Sequence, residues 1–189
     1  MISKKNQIGI KWYGRAGHGA VSAGGILGLV FAAEGWYVQA FPDFGAEKRG
    51  APLTVYNRLS KDTPIRLNCN VQELDYVIVL DQTLLRTFDV TKDLKPDGII
   101  IINTNVDHSN IAKDNQKVYK IPASQISIDE VGRNIPNIPL VGAFAKISGI
   151  VNIDNFTATV HKALSEKFPE KIADGNLRAF KRALNEISS

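Results

Sequence analysis

Cysteine is nearly absent from this sequence: Cys69 is the single one among 189 residues. One thiol cannot close an internal disulfide, nor can it hold an iron–sulfur cluster, which takes several cysteines. The expectation for Cys69 is a small, buried or half-buried thiol at a strand end. Histidine is scarce too. His18, His108 and His161 lie far apart with no metal-ligand spacing, so no metal site is expected. No apolar run approaches the roughly 18 to 20 residues that span a bilayer. Residues 1–6 do not lead into a signal-peptide pattern, so a cytoplasmic chain with no membrane partner is expected. Clusters of Lys and Arg are also missing. Net charge is +4 and the pI is near 9.1, but the basic residues are dispersed among acidic ones. That argues against a nucleic-acid partner, whose footprint would be a basic patch with aromatics between the charges.

What is present suits a globular domain: hydrophobic residues make up 44% and charged ones 22%. The length allows one sizeable core. Two continuous apolar runs rich in β-branched residues, 76–80 and 98–102, end at Asp81 and Asn103. Such runs mark strands covered on both faces, as in parallel α/β sheets. Further strands are expected at 8–13, 36–41, 53–59, 65–67 and 118–121, the fourth a short edge strand. Helical spacing appears at 20–33, 82–88, 122–131 and 140–150. Asp154 can cap a helix through Lys167, and Pro169 opens a last one to about Ile187. The fold class expected is α/β: a single three-layer domain over residues 1–189, with a mostly parallel sheet and a helical C-terminal third.

The chain is organised around its first strand and the glycine turn after it, Gly14-Arg15-Ala16-Gly17-His18-Gly19, before the helix that begins at Ala20. A short glycine turn sets the helix N-terminus, with its unpaired N–H groups, just beyond the strand's carboxyl end. Such a corner attracts anions. The spacing is not that of a dinucleotide fingerprint, which needs G-x-G-x-x-G, and Asp43 lies past Pro42 rather than at the end of a second strand. Two readings remain: glycines serving only strand-to-helix packing, or contact with an anion or partner through Arg15 and the backbone. A second stretch, Phe44, Glu47, Lys48, Arg49 and Gly50, lies in a loop dense in Gly, Pro and alternating charge. It reads either as a solvated tip or as a binding surface, since Arg beside exposed aromatics is an interface composition. Asp81 and the run Asn103-Thr104-Asn105 follow the two most buried strands, at the edge where open α/β sheets place ligands. They serve equally well as strand ends and helix caps. No nucleophile–base pair, close carboxylate pair or triad follows from spacing, so no catalytic residue is assigned.

The order of these segments carries a resemblance. Trp12-Tyr13-Gly14-Arg15-Ala16-Gly17-His18-Gly19-Ala20-Val21 is similar to the W-H-G-R-G-G-Q-G-A-V opening of gamma subunits of the pyruvate:ferredoxin oxidoreductases. Residues 39–52, Arg58, residues 64–66, 75–79, 97–104 and 140–146 match in the same order, so the resemblance spans roughly residues 8 to 165. Ala16 stands where that family usually has glycine, and His18 where it has glutamine. The resemblance implies a subunit of a complex that decarboxylates a 2-oxoacid oxidatively, forming acyl-CoA and reduced ferredoxin. It implies thiamine diphosphate, Mg2+ and [4Fe–4S] clusters on sibling subunits, with coenzyme A as co-substrate and no cofactor bound by this chain alone. The implied partners are alpha and beta thiamine-binding subunits, a ferredoxin-like delta subunit and external ferredoxin. Gly14, Arg15, Gly17, His18 and Gly19 then become candidates for phosphate, coenzyme A or partner contact, and Phe44, Glu47, Lys48, Arg49 and Gly50 for the subunit interface. Pyruvate is the substrate expected. The alternatives are a related complex for 2-oxoglutarate, branched-chain or aryl 2-oxoacids, and a stand-alone coenzyme A or nucleotide-binding module.

Overall fold

Residues 8–13 are apolar on both faces but for Lys11, and in the computed structural model they lie in the strand on which the sheet is built. The structure describes residues 6–44, 52–66, 69 and 71–188. Strand β1 (Gln7–Arg15) is followed by α1 (Ala20–Ala33), β2 (Tyr37–Phe44), β3 (Pro52–Ser60), β4 (Leu74–Val79), β5 (Leu94–Asn103) and β6 (Lys117–Ile121). Helices α2 (Ala123–Val131), α3 (Asn137–Ser148), α4 (Ile153–Ser165) and α5 (Glu170–Glu186) make up the C-terminal third. The strand order is β2-β3-β1-β4-β5-β6. β4, β5 and β6 continue parallel from β1, while β3 runs antiparallel between β1 and β2. Five strands thus share one direction and β3 alone is reversed.

The two faces of β1 bury different things. Ile8, Ile10 and Trp12 face the helices, where they join Ile26, Leu27, Phe31, Phe144, Phe156 and Phe180 in the larger core. Tyr13 joins Val77, Val79, Ile100 and Ile102 on the other face. There the third layer is thin: a 3-10 turn, Gln82–Arg86, and the chain after it lay Leu84, Phe88 and Val90 on the sheet. Lys11 points into this layer with its Nζ 4.8 Å and 5.1 Å from the ring centres of Tyr13 and Tyr56. Burial pulls its pKa down, but hydrogen bonds to the Tyr56 and Tyr13 hydroxyls outweigh it and hold the ammonium above its usual range. One buried polar link ties the larger core together: Trp12 Nε1 donates to Asn57 Oδ1 at 2.8 Å, and Asn57 Nδ2 donates to the Gly24 carbonyl at 2.9 Å.

Small residues set how closely the helices pack. A Cβ on Gly142 would lie 2.6 Å from the Phe180 carbonyl oxygen, so glycine is what lets α3 and α5 cross in contact. Several boundaries differ from expectation. β2 runs on through Pro42 to Phe44, and β2 is an edge strand, where a missing N–H costs no ladder bond. Ile65 and Arg66 belong to no strand, and Leu67 lies outside the described residues. Helix α3 begins at Asn137 rather than 140, because Pro139 falls in its first turn, where an N–H has no partner anyway. The cap of α4 is Asn152, which accepts from the Asp154 and Asn155 amides, and not Asp154. Cys69 is exposed, contrary to the burial expected of a lone thiol; it sits in the β3–β4 connection beside Arg58, whose Nη2 is 3.9 Å from its Sγ. No helix among the described residues is long and apolar enough to cross a membrane.

Candidate functional site

The carboxyl ends of β1, β4 and β5 meet along one crest, and the glycine turn lies on it. After Arg15 the chain reverses: the His18 amide donates to the Arg15 carbonyl at 3.1 Å, and Gly17 and Gly19 take φ of +94° and +79°. Ala16 is not among the positive-φ residues, so alanine fits there without strain. Gly19 is the N-cap of α1, and among the described residues no side chain caps that first turn. Its amides therefore offer main-chain donors at the positive end of the helix dipole. Gly19 is also crowded. A Cβ there would lie 2.5 Å from Asn137 Nδ2, and the Asn137 side chain reaches back over the turn to the Gly19 carbonyl at 3.4 Å. The Asn137 Oδ1 in turn accepts the Ile138 amide at 2.8 Å, at the start of α3.

Arg15 ends β1 and points along the crest to β4. Its Nε donates to Asp81 Oδ2 at 2.7 Å and its Nη2 to Thr83 Oγ1 at 3.1 Å. Asp81 at the same time caps the 3-10 turn, its Oδ1 accepting the Thr83 amide at 2.9 Å and the Thr83 hydroxyl at 2.7 Å. Burial raises the Asp81 pKa, but the Thr83 hydrogen bonds and the Arg15 guanidinium outweigh it and hold the carboxyl below its usual value. One step along, Asn103 Nδ2 donates to the Leu80 carbonyl and to Ser124 Oγ, both at 2.8 Å, and its Oδ1 accepts the Ser124 amide at 2.9 Å. Asn103 thus ties β5 to β4 and to the start of α2. Thr104 Oγ1 donates to Gln82 Oε1 at 2.6 Å, and His108 Nε2 sits 3.2 Å from the same oxygen.

The structure brings Arg15, Asp81, Thr83, Asn103 and Thr104 onto one edge, and each side chain is engaged by a neighbour. His18 stands apart: the residue is half-buried and its Nδ1 is enclosed with no hydrogen-bond partner among the described residues. A cavity of about 20 Å³ near the crest, the size of a single water, is lined by Thr104, Asp107, His108 and Lys120. A larger groove, about 260 Å³, lies at the opposite pole between Gly9, Arg58, Cys69, Asp75 and Lys95. There Asp75 accepts the Gly9 amide at 2.9 Å and pairs with Lys95 Nζ at 3.0 Å. Of the second predicted stretch, Phe44 ends β2 with its backbone paired to Leu53, while Glu47, Lys48, Arg49 and Gly50 lie outside the described residues. Sequence reasoning missed Asn137, Thr83, Gln82 and His108. The only local signal was an Asn two residues before Pro139, a helix-start pattern.

With the geometry in hand, comparisons with known proteins identify the fold's relatives. The family model described as pyruvate ferredoxin/flavodoxin oxidoreductase matches residues 9–186. The chain is 38% identical over 186 residues to pyruvate synthase subunit PorC of Thermotoga maritima, covering 97% of this chain and 96% of that protein. It is 39% identical to the pyruvate/ketoisovalerate oxidoreductases common subunit gamma of Pyrococcus abyssi, covering 93% and 96% of the two chains. The crystal structure of the T. maritima pyruvate oxidoreductase subunit PORC superposes with a TM-score of 0.83 at 34% identity, over 97% of this chain and 98% of that one. A family model spanning nearly the whole chain, relatives well above 30% identity and a shared fold agree: the chain belongs to the pyruvate ferredoxin/flavodoxin oxidoreductase family.

Proposed function

We propose that this chain is the gamma subunit of a pyruvate:ferredoxin oxidoreductase complex, folded as one gamma-type domain over residues 1–189. In this reading, the complex converts a 2-oxoacid and coenzyme A to acyl-CoA, CO2 and reduced ferredoxin. The observation that carries the reading is end-to-end similarity to a pyruvate synthase subunit in both sequence and fold. Pyruvate is the substrate proposed. The P. abyssi relative, named for pyruvate and ketoisovalerate together, marks branched 2-oxoacids as the second choice.

The hard chemistry belongs to cofactors on sister subunits: thiamine diphosphate, Mg2+ and [4Fe–4S] clusters. A cluster does not fit the donors of this chain, which has one cysteine. What the chain supplies is a shaped edge. Gly14, Gly17 and Gly19 keep the turn slim, the uncapped amides of α1 face outward from it, and Arg15, fixed by Asp81 and Thr83, stands beside them with His18. That is an arrangement for the phosphate end of coenzyme A or for a partner's acidic group. Phe44, Glu47, Lys48, Arg49 and Gly50 are proposed as interface with the thiamine-binding alpha and beta subunits, alongside a ferredoxin-like delta subunit. Purified alone, the chain is expected to show no pyruvate-dependent reduction of ferredoxin or viologen, and to restore coenzyme A-dependent turnover when added to sister subunits that lack it. Turnover by the isolated chain, or full activity of the sisters without it, would sink the proposal.

A further inference from the structure

Helix α1 is apolar all round, and only part of it is buried. Its fourteen residues, AVSAGGILGLVFAA, include no charge. Ala23, Ile26, Leu27, Val30 and Phe31 are buried in the core, whereas Val21 and Leu29 are each 47% exposed, and Ser22, Ala32 and Ala33 are exposed beside them. By contrast α4 and α5 turn charged side chains outward, such as Lys162, Arg178 and Arg182. A surface helix of a free-standing protein carries a polar outer face, and one without it is a helix awaiting cover.

We infer that the outer face of α1 is a docking surface for a sister subunit of the same complex, which lays an uncharged apolar helix along Val21, Gly25 and Leu29. This rests on the reading of the chain as a subunit. The shape favours a helix: two apolar ridges four residues either side of Gly25, with open space above that glycine, form a groove that admits a helical ridge closely. The absence of charge means that nothing ionic must lose its water when the face is covered. Area decides between a sister subunit and a second copy. The strip is ~21 Å long and ~10 Å wide, far below the ~800 Å² per partner of a stable stand-alone interface. It must therefore continue into other contact surface. Gly19 of the crest turn is the N-cap of α1, so the helix face runs directly into the turn that the functional reading gives to the complex. Antiparallel pairing of two copies through α1 sends their crests to opposite ends, and parallel pairing sets two positive helix ends side by side. Neither extends the contact favourably.

The test assembles the complex from its sister subunits with the parent chain, Leu29→Glu or Ala32→Glu. Ile128→Glu, at a 43% exposed position on α2, is the control. Affinity is read by titration with light-scattering mass, and each isolated chain is melted. Both α1 variants should bind the sister subunits roughly a hundredfold more weakly, the scale of an interface hot spot, with the isolated melting temperature unchanged and the control binding like the parent. Ala32→Glu removes no packing, so a loss of binding there cannot be put down to a folding defect. Parent-like binding by both variants overturns the inference. So does a dimer of the isolated chain that Leu29→Glu splits, because the occupant is then a second copy. A parent chain that does not join the sister subunits at all sinks the functional reading itself, a separate result.

Discussion

Gly19→Ala tests the turn through two independent costs. The first is conformational: φ is +79° at Gly19, and an L-residue held there loses about 1–2 kcal/mol. The second is steric. The new Cβ would lie 2.5 Å from Asn137 Nδ2 and 2.8 Å from its Cγ, so the amide must leave. When it does, the Ile138 amide loses its 2.8 Å acceptor, a further loss of about 1 kcal/mol. The sum, about 2–3 kcal/mol, lowers the melting temperature of a chain this size by roughly 4–12 °C. Gly17→Ala separates the terms. Its φ is +94° but none of the described residues lies within 4 Å of the added methyl, so only the conformational cost applies. Asn137→Ala removes the amide and leaves only its Cβ, 3.1 Å from the added methyl: in that background Gly19→Ala should cost clearly less than in the parent, approaching the cost of Gly17→Ala. Circular dichroism melts of the parent, the three single variants and the double mutant complete the cycle. If Gly19→Ala costs the same with and without the Asn137 side chain, the packing of that amide over the turn is wrong.

Other outcomes rest on the same geometry. Arg15→Ala in the assembled complex should raise the KM for coenzyme A by roughly tenfold with kcat little changed, as expected for loss of a uniform binding contact; a fall in kcat at constant KM would instead place Arg15 in the reaction. Acid should unfold the chain partly through its lowered carboxylates. The Asp81 pKa is depressed below 3.8 and that of Asp89, beside Lys113, falls to about 2, so their contribution is present above the unfolded value and lost as pH drops through the folded ones. Asp81→Asn keeps a capping side chain and should flatten the loss of melting temperature below pH 4; an unchanged acid limb would refute the assignment. Cys69 should react fully with a thiol reagent in the native state, and protection until unfolding would contradict its exposure. Trp12→Phe and Asn57→Ala should each destabilise by about 1–3 kcal/mol, since each strands a buried polar group, and the pair should cost clearly less than the sum.

Much of the fold was legible because its signals are local. The runs 76–80 and 98–102 carry the mark of strands covered on both faces, and β4 and β5 are interior strands of the sheet. Gly35 and Gly132 end helices with positive φ, as a glycine after a helical pattern predicts. Misses came where two signals competed. The expected strand end at 41 and helix start at 140 stop short of Pro42 and Pro139, but one proline falls on an edge strand and the other in a helical first turn, the two settings that tolerate proline. Asn152 and Asp154 are both good caps, and only the backbone at Asn152, φ −57° and ψ 131°, decides between them. The site was less legible. The turn announced itself through its glycines, but Arg15 and Asp81 are 66 residues apart and Asn137 is 118 from Gly19. No spacing rule reaches that far.

The contrast between the crest's side chains and its main chain bears on what this subunit contributes. Asp81, Asn103 and Thr104 occupy the positions where an α/β enzyme would keep reactive groups. Here each is spoken for: Asp81 by Arg15 and Thr83, Asn103 by Leu80 and Ser124, Thr104 by Gln82 and the Val106 amide. A carboxylate held below its usual pKa by such contacts is a poor general base. Among the described residues, the amides at the start of α1 have no side-chain cap, and an exposed apolar strip continues from them. Amides orient an anion without exchanging protons with it, and an apolar strip excludes water without reacting. On the function proposed above, such an edge binds and covers, and bond-making belongs to groups held by the sister subunits.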